Sequence, residues 1–471
     1  MTRTATFQIA GGARVVVPDS LNSITPYVLF EQNDWFEDEI VFLRCLLAPG
    51  QRAIDVGANY GVYTLSIAQL VGPTGAVWAF EPASSTADFL AQGVAANNFG
   101  QVSIQRCALS NNTGTAHLSL NDNSELNALT RTTGAASTET VRVTTLDDCL
   151  IQFGWNDITL MKIDAEGEEV NIIKGGREFF ASQSPLILYE VKAGTDLHLE
   201  LVSEFEAIGY NSYRLVPGLN MLVPFLRDSR PDGYLLNLFC CKPDRAALLG
   251  KLGYLASSVD LSASAREVRS WNFSLAQNRQ YAWRNALVSF PYATTVATLW
   301  EQLPQSTDSD SVVVGLAQFA VSQDDSLPPS TRFSALESSF HTMEALCRER
   351  PRHLRLLSLA RIARAYGARA EAVAALGKLL DGLAQGDQPD FTEPFLAPGK
   401  RFDTVPPGTN LQAWLLAAIL EELERLVAYS SFFSGINSKS RLEKIESLGF
   451  GSSEMKRRLQ LVQLRFPTTT Q

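Results

Sequence analysis

Histidine is scarce in this chain of 471 residues: only His117, His198, His341 and His353 occur, and none stands at metal-ligand spacing from another. With no Cys-x-x-Cys pair among the six cysteines, no zinc site of the usual nitrogen and sulfur ligands is legible. Cys240 and Cys241 are adjacent, which is unsuited to ordinary disulfide geometry; together with Cys45, Cys107, Cys149 and Cys347 they point to a reduced, cytoplasmic setting. No run of about 18 apolar residues is present, so no membrane-spanning helix is expected. The N-terminal stretch is broken by Gly11, Gly12 and Arg14 before it could form the apolar centre of a signal peptide. Basic residues are few in the first half: residues 1–245 carry 16 Lys+Arg against 28 Asp+Glu, the remainder 24 against 22. Phosphate contacts need a basic surface, so a nucleic-acid partner is not expected. What is plentiful is apolar material, 45% of residues against 19% charged, enough for two or three cores.

The most informative stretch is Arg52-Ala-Ile-Asp-Val-Gly-Ala-Asn-Tyr-Gly61-Val-Tyr-Thr-Leu, a short apolar strand running into a glycine-spaced turn and then a helix. Gly57 and Gly61 permit a tight turn and close approach to a ligand, with Ala58 and Asn59 between them, while Asp55 reaches the carboxyl edge of the strand. The spacing is Gly-x-x-x-Gly and not the Gly-x-Gly-x-x-Gly of dinucleotide binders, so a pyrophosphate is not the obvious guest; a purely structural turn is the alternative. A second strand, Ala76 to Phe80, ends in Glu81-Pro82, and an acidic residue about twenty positions beyond a glycine turn is where a ribose diol is gripped. The plain alternative is a solvated strand-end carboxylate. Ser84 or Ser85 is placed to cap the helix that follows, through Asn97.

"AIDVGANYGVYTLSIA", "VWAFEP", "RCALSNNTG", "MKIDAEGEEVNIIKGG" and "PLILYEV", in this order, resemble the FkbM family of S-adenosylmethionine-dependent O-methyltransferases over about residues 40–245. The resemblance implies a seven-stranded, doubly wound Rossmann-like α/β methyltransferase fold, S-adenosylmethionine as cofactor, and methyl transfer to a hydroxyl of a glycan or natural-product acceptor. It places Ala108, Leu109 and Ser110 beside the adenine, where backbone groups and apolar side chains can make the contact. For residues 1–50 it implies a lid over the cofactor side; a cover for a sheet edge serves the same sequence equally.

Alternating strand and helix signals over 51–245 agree with a doubly wound sheet, with strands expected near 52–56, 76–80, 102–106, 159–163, 186–190, 211–215 and 235–241. Helices are expected after Gly61, Ser84, Glu168 and Asp196. Before them, residues 5–19 alternate like a hairpin, and Trp35 to Leu47 reads as a helix whose start carries Glu37, Asp38 and Glu39, favoured by the positive end of the dipole. "TAHLSL" and "TVRVTTL" flank a polar stretch and predict an inserted hairpin, its tip suited to acceptor recognition or simply solvated.

The chemistry is expected in "MKIDAEGEE". Asp164 sits at the carboxyl end of the fourth strand and Glu166 follows on the turn. Carboxylates this close raise one another's pKa, which suits a base or acceptor-orienting group near neutrality; they could instead share a divalent metal with oxygen donors. Glu168 and Glu169 read as helix-dipole charges. Glu190 ends the fifth strand on the same edge, and Lys162, inside the fourth strand, needs a partner, for which Glu190 is available; the alternative is that either points to solvent across an edge.

From about residue 246 onward the period-two pattern is lost and the chain reads as all-α, a helical connector at 246–330 and a domain at 331–471. "PQSTDSDS" and "SQDDSLPPS" read as linkers. "LLSLARIARAYGARAEAVAALGKLL" predicts two amphipathic helices around Gly367, similar to one tetratricopeptide-type hairpin, and this half suits a protein partner, self-association or a cap over the acceptor site, a simple structural appendage being the alternative. A second function class therefore stands beside the enzyme: a helical scaffold whose methyltransferase-like half binds cofactor with little turnover.

Overall fold

The computed structural model describes residues 3–121, 123–130, 138–193, 196–227, 231–277, 287–300 and 307–467. Two compact units divide the chain, one of residues 1–215, 224–227 and 235–252, the other of 216–223, 228–234 and 253–471. The N-terminal fifty residues belong to the first unit, no break falls at 330, and the chain crosses between units several times near the expected boundary at 245.

The first unit opens with the expected hairpin, β1 (Thr4–Gln8) and β2 (Arg14–Pro18), paired antiparallel. Helix α1 (Ile24–Gln32) was not legible, and α2 (Asp38–Leu46) begins three residues later than expected, with Glu37 as its N-cap residue. There follow β3 (Arg52–Val56), α3 (Val62–Val71), β4 (Ala76–Phe80), α4 (Ser84–Asn97) and β5 (Val102–Gln105). The inserted segment holds β6 (Ala108–Leu109), β7 (Gly114–Ser119), β8 (Ala128–Thr130) and β9 (Thr138–Thr144), a small sheet in the order β6-β9-β7-β8. The expected hairpin is its β7–β9 pair; residues 122 and 131–137 of the polar stretch between them lie outside the described residues. Next come α5 (Leu146–Phe153), β10 (Leu160–Ile163), α6 (Glu169–Lys174), α7 (Arg177–Ser182) and β11 (Leu186–Glu190). There follow the short pair β12 (Lys192–Ala193) and β13 (Asp196–Leu197), then α8 (Glu200–Ala207), β14 (Asn211–Val216), β15 (Met221–Pro224), β16 (Asn237–Cys241) and α9 (Pro243–Lys251); of β15 only Pro224 belongs to the first unit.

The main sheet runs β15-β14-β16-β11-β10-β3-β4-β5. All seven expected strands are in it, and β15 adds an eighth at the edge, a short apolar run that sequence periodicity could not separate from its turn. Strands β11, β10, β3, β4 and β5 are parallel neighbours, while β16 lies antiparallel between β11 and β14. This is the doubly wound, Rossmann-like α/β architecture that the resemblance implies. Chain order reverses between β3 and β10, so the carboxyl ends of these two strands open the crevice in which ligands of such sheets bind. Strand β10 is buried along its length, as a central parallel strand must be. Beneath the sheet, Phe80, Trp155, Phe179, Phe180, Phe205 and Tyr210 form a core of edge-to-face and tilted ring pairs.

Helix α4 starts where expected but without a serine cap. Its N-cap residue is Ala83, and the Ser84 hydroxyl donates instead to Glu139 of β9.

The second unit is helical. His353–Tyr366 and Arg369–Ala384 form the expected pair around Gly367, which takes φ +95°, a conformation that favours glycine. "PQSTDSDS" is not wholly a linker, since the helix Thr307–Ser322 begins inside it. The Pro/Gly-rich connection at 385–410 is held by buried ion pairs, Arg355 to Glu393 at 2.5 Å and Arg361 to Asp403 at 2.6 Å. Such pairs fix position more than they add stability, because both charges lose water. No helix among the described residues is long and apolar enough to cross a membrane.

Candidate active site

The glycine turn is shaped by its neighbours. Gly57 has φ +73°, and a Cβ there would lie 1.7 Å from the Asp164 carbonyl oxygen; Gly61 has φ +87°, and a Cβ would lie 2.3 Å from a Leu90 methyl. The glycines thus make room for strand β10 and helix α4, a packing demand that the sequence attributed to the ligand. The Gly57 and Ala58 amides both donate to the Phe80 carbonyl, at 3.1 and 3.0 Å, and the Gly61 amide donates to Ala58 at 2.8 Å. A loop whose amides are spent in this way is no cradle for phosphate, in keeping with the absent dinucleotide spacing.

Around this turn two buried carboxylates retain acceptor capacity. Glu81, 6% exposed, accepts the Asn59 amide on Oε2 at 2.9 Å and the Ala83 amide on Oε1 at 2.8 Å. Asn59 reaches this position with φ +48°. Burial pushes the Glu81 carboxyl up to about 7, against the pull of those two bonds. Each oxygen keeps a lone pair, which fits the two hydroxyls of a ribose. Asp55 is fully buried; its Oδ2 accepts the Thr64 hydroxyl at 2.5 Å, and its Oδ1 has no partner. An orphaned buried acceptor beside the crevice is what a donor-bearing cofactor would satisfy. Ala108 and Leu109 pair with Val143 and Thr144 of β9, so they stand outside the main sheet. The Ser110 hydroxyl donates to Glu168 at 2.7 Å, tying this segment to the turn after β10.

Asp164, Glu166 and Glu190 come together at the carboxyl edges of β10 and β11, each with an oxygen within 4.8 Å of the others'. The turn after β10 that carries Glu166 is built by Glu169, whose carboxylate accepts the Ala165 and Gly167 amides at 2.9 and 3.1 Å. It lets Glu166 adopt φ +48°, a conformation costly for an unsupported side chain. Glu169 therefore folds back on its own turn and Glu168 reaches Ser110; neither is merely a helix-dipole charge. Burial, then Asp164, push the Glu166 carboxyl up to about 8, and the same two causes in the same order push Glu190 up to about 10. Lys162, its side chain 8% exposed, pairs with Asp164 at 2.8 Å and not with Glu190 as expected. Residues two apart on a strand share a face, which favours this nearer partner.

Several residues at this edge escaped the sequence reading. Glu37 accepts the Tyr63 hydroxyl on Oε2 at 2.5 Å and the Asn237 amide group at 3.3 Å. The Lys162 ammonium lies 5.2 Å from the centre of the Tyr63 ring. In the insert, the Ser124 hydroxyl donates to Asn59 Oδ1 at 2.9 Å, while Asn123 and Glu125 accept the Ile24 and Thr25 amides that open α1. These amides have no partner within their own helix, and the cap comes from a hundred residues away. No local spacing signals that arrangement.

Residues 55–212 match the family model described as the Methyltransferase FkbM domain. Among solved structures, a putative rRNA-methylase from Clostridium thermocellum is 10% identical with a TM-score of 0.28, covering 44% of this chain and 95% of its own. A SAM-dependent O-methyltransferase from Thermotoga maritima is 12% identical with a TM-score of 0.26, covering 50% and 77%. A putative methyltransferase from Streptococcus mutans, in complex with SAH, is 11% identical with a TM-score of 0.27, covering 43% and 95%. These likenesses are too distant to bear on substrate. No curated protein matches the chain. The matched segment, which spans the glycine turn, Glu81 and the "MKIDAEGEE" turn, is an FkbM methyltransferase domain within the first unit.

Proposed function

We propose that this S-adenosylmethionine-dependent methyltransferase acts on a hydroxyl group, on a carbohydrate or natural-product acceptor, with Asp164 receiving or orienting the acceptor proton. The observation that carries the reading is the three-carboxylate cluster at the crevice, with Lys162 against Asp164. Bound in the crevice, the cofactor supplies an electrophilic methyl group on a sulfonium. Asp55 and Glu81 would hold it, with Gly57, Ala58, Asn59 and Gly61 shaping the turn and Ala108, Leu109 and Ser110 available to the adenine. Glu166 and Glu190, both pushed upward, keep their protons at neutral pH and offer donors to an acceptor oxygen, while the Asp164 carboxylate remains to accept. Holding the hydroxyl at attack distance supplies much of the rate, and a base helps because alcohols are weakly acidic. The acidic balance of the first unit favours a neutral acceptor over a nucleic acid. The free cysteines agree with a reducing, cytoplasmic setting.

A second reading rests on the same cluster: three carboxylate oxygens this close suit magnesium or manganese, which would displace the retained protons. Calorimetry with S-adenosylmethionine followed by turnover against a glycan and small-molecule panel tests the reaction. Asp164→Asn should keep S-adenosylhomocysteine binding while kcat falls about 10² to 10⁴, the loss of a general base. A metal role predicts instead that chelator abolishes activity and magnesium or manganese restores it. Chelator insensitivity with near-normal turnover of Asp164→Asn defeats both readings. Cofactor binding without turnover on any acceptor would favour the scaffold alternative, with the helical half engaging a partner.

A further inference from the structure

Glu37 is the N-cap residue of α2, yet its carboxylate makes no capping bond to that helix. It is turned into the first unit, where Oε2 accepts both the Tyr63 hydroxyl, at 2.5 Å, and the Asn237 side-chain amide, at 3.3 Å. Neither contact is remote from the chemistry. Tyr63, 6% exposed, presents its ring to the Lys162 ammonium, and that ammonium donates to Asp164 at 2.8 Å. Asn237 stands directly opposite Glu190 in the β11–β16 ladder. One carboxylate from the N-terminal segment thus holds both a ring that faces Lys162 of β10 and a residue of β16 that pairs with Glu190 of β11.

The ring is the part that needs a brace. A lysine has a long, flexible stem, and a buried ammonium settles wherever its partners allow. Asp164 lies at the strand end with its side chain 36% exposed, free to follow the lysine. The ring face attracts the ammonium through its quadrupole. A ring fixed at its hydroxyl end therefore defines where the ammonium lies, and the ammonium defines where Asp164 points.

We propose that Glu37 is a positioning residue for the acceptor site, acting through the Tyr63 ring to set the Lys162–Asp164 pair, so that the N-terminal segment completes the site and does not only cover it. The inference rests on the acceptor role given to Asp164 above, and its test separates the two.

The chain has ten lysines, which makes lysine side chains labelled with ¹³C at Cε a simple spectrum. Lysine protons above an aromatic face are displaced upfield by the ring current. Lys162→Arg assigns the Lys162 signal in the full-length protein, and Lys242, 5.4 Å from the Tyr210 ring, is an internal control. Tyr63→Phe keeps the ring but removes its tether, and Glu37→Ala removes the acceptor. In both variants the Lys162 signal should move toward the solvated lysines while that of Lys242 stays. On the acceptor found by the panel, both should lose about tenfold in kcat, with the KM for S-adenosylmethionine unchanged, as expected for misplacing a reacting group. A fall in melting temperature with the Lys162 signal unmoved in both variants would overturn the inference and leave Glu37 a packing residue. If the signal moves in both but Asp164→Asn turns over normally, the brace stands and the role of Asp164 falls.

Discussion

Replacing Glu190 by glutamine isolates the proton that the acid cluster retains. Burial and Asp164 push the Glu190 carboxyl from its ordinary value of 4.5 up to about 10, so at pH 7 it is neutral when folded and ionised when unfolded. A group raised on folding contributes its stability below the unfolded value, and that contribution is lost as pH rises toward the folded one. At roughly 1.4 kcal/mol per pH unit, the loss between the ordinary value and pH 7 has an upper bound of ~3 kcal/mol. Partial exposure and sharing of the proton with Asp164 reduce this to about 1–2 kcal/mol. Glutamine has the shape of the neutral acid, its amide can donate to Asp164 in the same way, and it carries no charge when unfolded. Glu190→Gln should therefore be more stable than the parent by about 1–2 kcal/mol at pH 7, roughly 2–8 °C in Tm for a unit of this size. The advantage should vanish near about pH 4, where both states of the parent are neutral. Scanning calorimetry across this range, following the transition that S-adenosylhomocysteine shifts, measures it. A variant no more stable at pH 7, or an advantage independent of pH, would show that Glu190 is ionised in the folded protein and that the cluster holds one proton fewer.

Glu81→Ala should weaken S-adenosylmethionine binding by about 1.5–3 kcal/mol by calorimetry, the usual loss of hydrogen bonds to a charged group, with the fold retained; unchanged affinity would place the ribose elsewhere. If Glu166 serves as base in place of Asp164, kcat/KM should rise with pH through about 8, where burial and Asp164 place its ionisation, and Glu166→Gln should abolish that limb. A profile flat from pH 6 to 9 in the parent would remove Glu166 from proton transfer.

The strands of the main sheet were readable because each is a short apolar run closed by Gly, Pro or a charge. Edges were less so: β15 and α1 are apolar without a distinct period, and α1 draws its first hydrogen bonds from Asn123 and Glu125. Asp55, Glu81, Asp164 and Glu190 were legible as candidates because a charged residue at the end of a buried strand needs a reason to be there. Glu37 was not, since acidic residues at a helix start are ordinary and only the fold shows its carboxylate leaving that helix for Tyr63.

The local order of residues determined which strands form, where glycine must stand, and which carboxylates reach the open edge, because these depend on steric and hydrophobic patterning a few residues apart. Only the tertiary structure decided who meets whom there. Lys162 chose Asp164 over Glu190, Gly57 was required by a carbonyl a hundred residues on, and three carboxylates gathered at two strand ends, where burial pushes the Glu166 and Glu190 carboxyls upward. Pairing, burial and the pKa values they set are properties of distances across the sheet, and no spacing along the chain encodes them.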